Sequence, residues 1–265
     1  MILIKIAHLL FRALKFVFIM TICYLVYIAL LSDILTKGYH IIAYLTIWLL
    51  SSYVIAPKVN RFISNHYLPN YFIGRSVTSD GLLGDPVNIA INGSEETMKN
   101  IFLESGWHIA DNLTFKSSVK IVIASLLKNS YPTAPVSTLY LFNDKQSFAF
   151  EKEINNNPRR RHHIRVWKTP SNWYLPGGYK TDWLCAATFD QKVGLSLYNG
   201  QITHKIIGNV DQERDFVLNT FKNSNISYQI NVVENFTTGY HSKNGGGDRI
   251  YTDGALPFVD LNKDI

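Results

Sequence analysis

Two apolar runs in the first sixty residues constrain this chain more than any other feature. Residues 16–32 (FVFIMTICYLVYIALLS) carry no charge, and residues 39–57 (YHIIAYLTIWLLSSYVIAP) carry one histidine and no formal charge. At the helical rise the first run is roughly 26 Å long, near the lower limit for crossing a bilayer. The link LSDILTKG holds Asp33, Lys37 and Gly38. The pattern predicts a two-helix transmembrane hairpin over 16–32 and 39–57, forming an anchor within 1–60. A signal peptide is the rival for the first run. No small-residue cleavage site follows it, and the second run comes directly after.

Charge supports this partition. The 265 residues hold 26 Lys+Arg against 20 Asp+Glu, for a net +6 and a pI of about 9.1. Residues 1–75 contain seven basic side chains (Lys5, Arg12, Lys15, Lys37, Lys58, Arg61, Arg75) and one acid, Asp33. The first 75 residues therefore carry the whole excess, and residues 76–265 are neutral overall. That balance argues against nucleic acid as a partner. Basic residues flank the two runs on their outer sides, so both termini are expected to be cytoplasmic. The expected location is the inner (cytoplasmic) membrane, multi-pass, with a cytoplasmic soluble domain. Lys5, His8, Arg12 and Lys15 share one helical face, which fits either an interfacial helix on anionic lipid or an extension of the first span. Two cysteines, Cys23 and Cys185, are too few for a disulfide framework.

Beyond the anchor, residues 61–83 read as a loop-like linker. Residues 86–91 (PVNIAI) read as a strand, followed by an Asn92-Gly93 turn and a helix capped by Ser94. Glu95 and Glu96 lie in its first turn, Met98, Ile101 and Phe102 form its apolar stripe, and Gly106 ends it. A second helix is expected over 115–128, with Val119, Val122, Ala124 and Leu126 buried. The remainder is rich in strands. STLYLF (137–142) and SFAFE (147–151) read as a hairpin around Asn143-Asp144. HHIRVWK (162–168), WLCAATFD (183–190), VGLSLY (193–198) and QITHKI (201–206) follow, with Asn199-Gly200 as a two-residue turn. A helix is expected over 211–221 and a further strand over 227–233. The fold class is α+β, with one soluble domain over 84–235, a mainly antiparallel sheet and about three helices. Residues 236–265 read as a mobile, glycine-rich tail.

The densest polar cluster is PRRRHHIRVW (158–167). Period two places Arg161, His163, Arg165 and Trp167 on one strand face, with Arg160, His162, Ile164 and Val166 on the other. Guanidinium binds phosphate bidentately and histidine exchanges protons near neutral pH. Arg161, Arg165, His162 and Trp167 are therefore candidate substrate-binding residues, and His163 and His204 candidate catalytic ones. Asp190 or Asp211 would orient a histidine. The competing reading is a sheet face whose arginines pair with carboxylates elsewhere. With Asn199-Gly200 as the turn, Leu195 faces His204, which would make His204 either a core histidine or a site residue. His162, His163, His204, Asp190 and Asp211 lack any diagnostic metal-ligand spacing, and no cofactor motif is present. Neither a metal nor a cofactor is expected.

Several segments together resemble the LssY C-terminal domain family. They are DGLLGDPVNIAINGS (80–94), YPTAPVSTLYLF (131–142), PRRRHHIRVW (158–167), AATFD (186–190), ITHKI (202–206) and VDQERD (210–215). The resemblance implies a domain of bacterial membrane proteins, sometimes fused to phosphatidic-acid-phosphatase-like or DedA-like membrane domains. By association it implies phosphorylated lipids as a substrate class. The expected function is thus a membrane-anchored domain that binds or hydrolyses a phosphorylated lipid, phosphorylated small molecule or other anionic group at the cytoplasmic membrane face. The alternative is a non-catalytic accessory or sensor module beside a membrane-protein partner.

Overall fold

A computed structural model describes residues 40–67, 74–127, 129–237 and 239–261, together with Val17, Thr21, Tyr24, Leu25, Tyr27, Ile28 and Ser32. The rest of the expected first span, the link 33–39 and the basic segment 1–15 lie outside the described residues. Residues 1–59 and 60–265 form two compact units, and each is considered by itself.

In the first unit, α1 (His40–Leu50) runs through a π-turn (Ser51–Ile55) into the first four residues of α2 (Ala56–Tyr67), whose remainder belongs to the second unit. Pro57 has no N–H to donate, and its ring crowds the carbonyl four residues back. The chain widens just before it: the Ala56 N–H donates to the Ser51 carbonyl, five residues back. The helix therefore continues past the expected end at residue 57. Among the described residues one helical stretch, Ile41–Ile63, is long and apolar enough to cross a membrane, with a mean hydropathy of 1.4. A two-helix hairpin is not confirmed. In the second unit, Asn60 Nδ2 donates to Asp80, and the Arg61 guanidinium donates to the Ser79 carbonyl. The first part of the expected linker is thus helical and tied to the domain.

The second unit is α+β and mainly antiparallel. Its short strands β1 (Arg75–Thr78) and β2 (Leu83–Pro86) lead into β3 (Ile89–Asn92). Ser94 caps α3 (Glu95–Glu104) by accepting the Thr97 N–H, and Met98, Ile101 and Phe102 are its buried stripe, as the sequence predicts. There follow β4 (His108–Ile109), α4 (Phe115–Leu127), β5 (Leu139–Leu141), β6 (Asp144–Lys145), β7 (Phe148–Ile154), β8 (Asn157–Lys168), β9 (Trp183–Leu195) and β10 (Ile202–Ile206). The chain finishes with α5 (Val210–Thr220), β11 (Gln229–Val233), β12 (Tyr240–Lys243), β13 (Arg249–Thr252) and β14 (Leu256–Asp260). The central sheet has the order β11-β14-β3-β9-β8-β7-β4, with β10 also on β9. Only β14–β3 is parallel among its described pairs. A smaller sheet runs β2-β1-β5-β6.

Alternation along the strands separates two environments. Ile164, Val166, Cys185 and Ala187 face α3 and α5, forming a core with Phe102, Phe150, Val217 and Phe221. Trp167, Leu184, Ala186, Leu256 and Phe258 face the other way, against Val87, Leu139 and Leu141 of the small-sheet side.

Four sequence expectations change. STLYLF and SFAFE are not partners. Phe142 and Asn143 both have positive φ, so β5 turns at once into the two-residue β6, while β7 pairs with β8 across Asn155-Asn156, which also have positive φ. Residues 183–190 and 193–198 are not two strands, because β9 runs unbroken from Trp183 to Leu195. The β9–β10 turn is wider than two residues: the Ser196 N–H donates to the Gln201 carbonyl, so Ile202 faces Leu195 and His204 faces Val193. Within the expected glycine-rich tail 236–265, the described residues 239–261 are not loose, since they supply β12, β13 and β14, and β14 sits between β3 and β11.

Candidate functional site

The site lies on the small-sheet face of β7, β8 and β9. Register places His163 between Glu151 and Thr188, Arg161 between Glu153 and Asp190, and Arg165 between Ala149 and Ala186. The alternation expected from the sequence holds: Arg161, His163 and Arg165 share this face. All three are buried, as are Glu151, Thr188 and Asp190.

A charge removed from water needs a partner close by. Arg161 has two, with Nη1 2.6 Å from Glu151 Oε1 and Nε 2.9 Å from Asp190 Oδ2. Arg165 Nη1 lies 2.6 Å from Asp85 Oδ2 of β2, and its Nε and Nη2 donate to the carbonyl and hydroxyl of Ser137. The same Nη1 is 2.8 Å from His163 Nε2, and Thr188 Oγ1 is also 2.8 Å from that nitrogen. Guanidinium only donates, so His163 Nε2 is an acceptor and its neutral ring carries the proton on Nδ1. That nitrogen points toward Asp190 Oδ1 at 3.4 Å, within ion-pair distance but without hydrogen-bond geometry.

His204 joins this group electrostatically, being in reach of Asp190, Arg161, His163 and Arg165. Burial lowers its imidazole to about 4, Asp190 opposes the shift, and the Arg161 and Arg165 guanidinium groups reinforce it. His204 is therefore neutral near pH 7. Its Nε2 is buried with no hydrogen-bond partner. Glu151 goes the other way. Burial pushes its carboxyl up to about 8 despite the Arg161 guanidinium, and Asp190 adds to the rise. Asp190 also feels burial, but the Nδ1 side of His163 and the Arg161 guanidinium hold it well below the usual carboxylate range.

The structure brings together Arg161, His163, Arg165, Asp190 and His204 and separates the remaining candidates. His162 lies on the opposite face. Its Nδ1 is 2.8 Å from Glu213 Oε2, and its ring stacks on Phe216 at 3.8 Å. A residue one position along a strand is turned to the other side of the sheet. Trp167 shares the site's face but packs among Leu184, Ala186 and Leu175. Asp211 is in the first turn of α5, where it accepts from Thr252 Oγ1 and the Asp253 N–H and pairs with Arg214. That is a helix-start network, away from His163. Among the described residues no three His, Cys, Asp or Glu side chains are placed to share a metal ion.

Sequence reasoning missed Glu151, Asp85 and Ser137. Alternation carried the signal for Glu151, which lies opposite Phe148 and Phe150 in SFAFE and beside a basic strand. Asp85 and Ser137 arrive from loops and short strands, and nothing in their spacing announces the contact.

A family model described as LssY C-terminus matches residues 65–256, extending on both sides of the expected 84–235 domain. No curated protein and no solved structure matches the chain.

Proposed function

Starting from the LssY C-terminus family, to which this chain belongs, we propose a membrane-anchored domain that binds, and acts by proton transfer on, a phosphorylated lipid or other anionic group at the cytoplasmic face of a membrane. One observation supports this reading above all. Two guanidinium groups, two histidines and Asp190 converge on one sheet face, and the buried Glu151 Oε2 and His204 Nε2 lack hydrogen-bond partners there. Buried orphan groups of this kind are rare and call for a role. In the proposed roles, His204 accepts or returns a proton. His163 is oriented by Asp190, as in general acid–base pairs. Arg161 and Arg165 supply the charge that attracts the anion.

Both arginines already have carboxylate partners, so an entering oxyanion must replace one. Glu151 yields most readily, because burial favours its neutral form. By taking a proton it leaves Arg161 charge free for the ligand. The test uses the full chain reconstituted in phosphatidylcholine vesicles with and without phosphatidic acid. Binding and phosphate release are compared with His163→Ala and His204→Ala. Loss of either signal in both variants supports the reading. Unchanged binding and release in two folded variants would overturn it.

The alternative, a non-catalytic accessory or sensor module, draws support from the same pairs. Arg161 and Arg165 face Glu151, Asp190 and Asp85, which makes the cluster electrically closed without a ligand. A stoichiometric membrane-protein partner recovered without any turnover favours this second reading.

A further inference from the structure

Helix α4 is built inside out. Thr114 and Ser117 start it by reciprocal capping: Thr114 Oγ1 accepts the Ser117 N–H, and Ser117 Oγ accepts the Thr114 N–H. The sequence then places Phe115, Val119, Val122, Ile123 and Leu127 at intervals of four, three, one and four, a single helical stripe. Such a stripe is ordinarily the buried one, and Val119 and Val122 were expected inside. Instead, Phe115 is 88% exposed, Val122 53% and Leu127 64%, with Val119 and Ile123 also exposed. The side turned to the domain carries Ser117 and Ala124, the latter packed with Tyr131 and Ala134.

This stripe is not bare chance of composition. Lys116 and Lys120 are exposed along one edge of it, and Phe115–Leu127 contains no acid. The Lys120 ammonium also lies 3.7 Å from the centroid of the Tyr131 ring, which keeps it at that edge. Thirteen residues rise only about 20 Å, too short to cross a bilayer but suited to lying in its surface. Lysine is depleted in protein–protein interfaces, whereas an apolar helical stripe edged with lysine suits anionic headgroups.

We infer that the outward face of α4 docks in the interfacial layer of an anionic lipid bilayer, with Phe115, Val122 and Ile123 among the acyl chains and Lys116 and Lys120 at the headgroups. The inference rests on the membrane-anchored reading and specifies which surface of the domain meets the lipid.

The test uses the full chain with Cys23→Ser, carrying an environment-sensitive dye on Val122→Cys, in vesicles of phosphatidylcholine and phosphatidylglycerol. A control carries the dye on Lys222→Cys. Nitroxide-labelled lipid should quench the Val122 dye and leave the Lys222 dye unaffected. Lys116→Glu with Lys120→Glu should lower that quenching by about two- to threefold on anionic vesicles. Alkaline extraction of the same samples reports the anchor separately. A chain that resists extraction without quenching at position 122 overturns the docking face and leaves the anchor standing. Quenching at 122 in an extractable chain removes the anchor and supports the docking face. A dye at 122 shielded from aqueous quencher but untouched by labelled lipid is covered by protein or a second copy, which also overturns the inference.

Discussion

The Arg161 guanidinium has Glu151 on one side and Asp190 on the other, all three nearly inaccessible to solvent. Truncating it strands two buried carboxyl groups. Arg161→Ala should therefore cost about 3–5 kcal/mol of unfolding free energy, measured by urea denaturation in detergent. Adding Glu151→Gln to that variant should recover part of the loss. Protonation gives a second prediction. Glu151 titrates at about 8 in the fold against an ordinary 4.5. Between those values the unfolded chain has lost a proton that the fold keeps, so this contribution to stability falls as pH rises and is gone above about 8. His204 works in reverse. Its value drops from 6.5 to about 4, so its contribution is present above 6.5 and fades as pH falls toward 4. From 6.5 to 8 Glu151 acts alone of the two. The unfolding midpoint should decline across that window in the wild type and flatten in Glu151→Gln, as read by thermal scans at stepped pH.

At the scale of elements, local chemistry was legible and long-range pairing was not. Ser94, Glu95 and Glu96 marked the start of α3, and alternation put Arg161, His163 and Arg165 on one face, because caps and pleats depend on near neighbours alone. Which strands pair depends on contacts between distant segments. STLYLF therefore found β1 rather than SFAFE, and the Ser196–Gln201 bond moved His204 by two residues from its expected partner. Along α4 the expected burial of Val119, Val122 and Ala124 holds for Ala124 and fails for the two valines, which lie on the opposite, exposed face. Segment 236–265 misled by composition: its glycines lie in turns such as Gly247 and Gly254, both at positive φ, while Leu256–Asp260 between β3 and β11 is well-packed strand. Truncating the chain after residue 255 should unmask Ile89, Ile91 and Ile230 and leave β3 with an open edge. The expected outcome is loss of protease resistance across the whole of residues 74–255, seen by limited proteolysis. A fragment retaining a resistant core of that size would contradict the assignment of β14 to the sheet.

For the molecule as a whole, the positive excess of the first 75 residues is separate from the arginines of β8. In sequence the former bracket a helix fit to enter a bilayer, whereas Arg161 and Arg165 of β8 pair internally with Glu151, Asp190 and Asp85. If Arg161 is freed for an anion by protonating Glu151, ligand affinity should fall up to about tenfold per pH unit above pH 8. Phosphatidic-acid vesicle binding at pH 7 to 9.5 measures this, and Glu151→Gln should remove most of the slope. The parallel β14–β3 pair has a consequence for how such a molecule is made. Phe258 lies beside Ala90, so one side of the sheet is joined by segments from opposite ends of the domain sequence. A ribosome releases β3 early and β14 late. Until β14 emerges, β3 is an open edge of the nascent sheet and β11 lacks the strand it pairs with, both carrying apolar side chains. Chaperone binding should therefore concentrate on this stage, and folding should finish in one late step rather than progressively along the emerging chain.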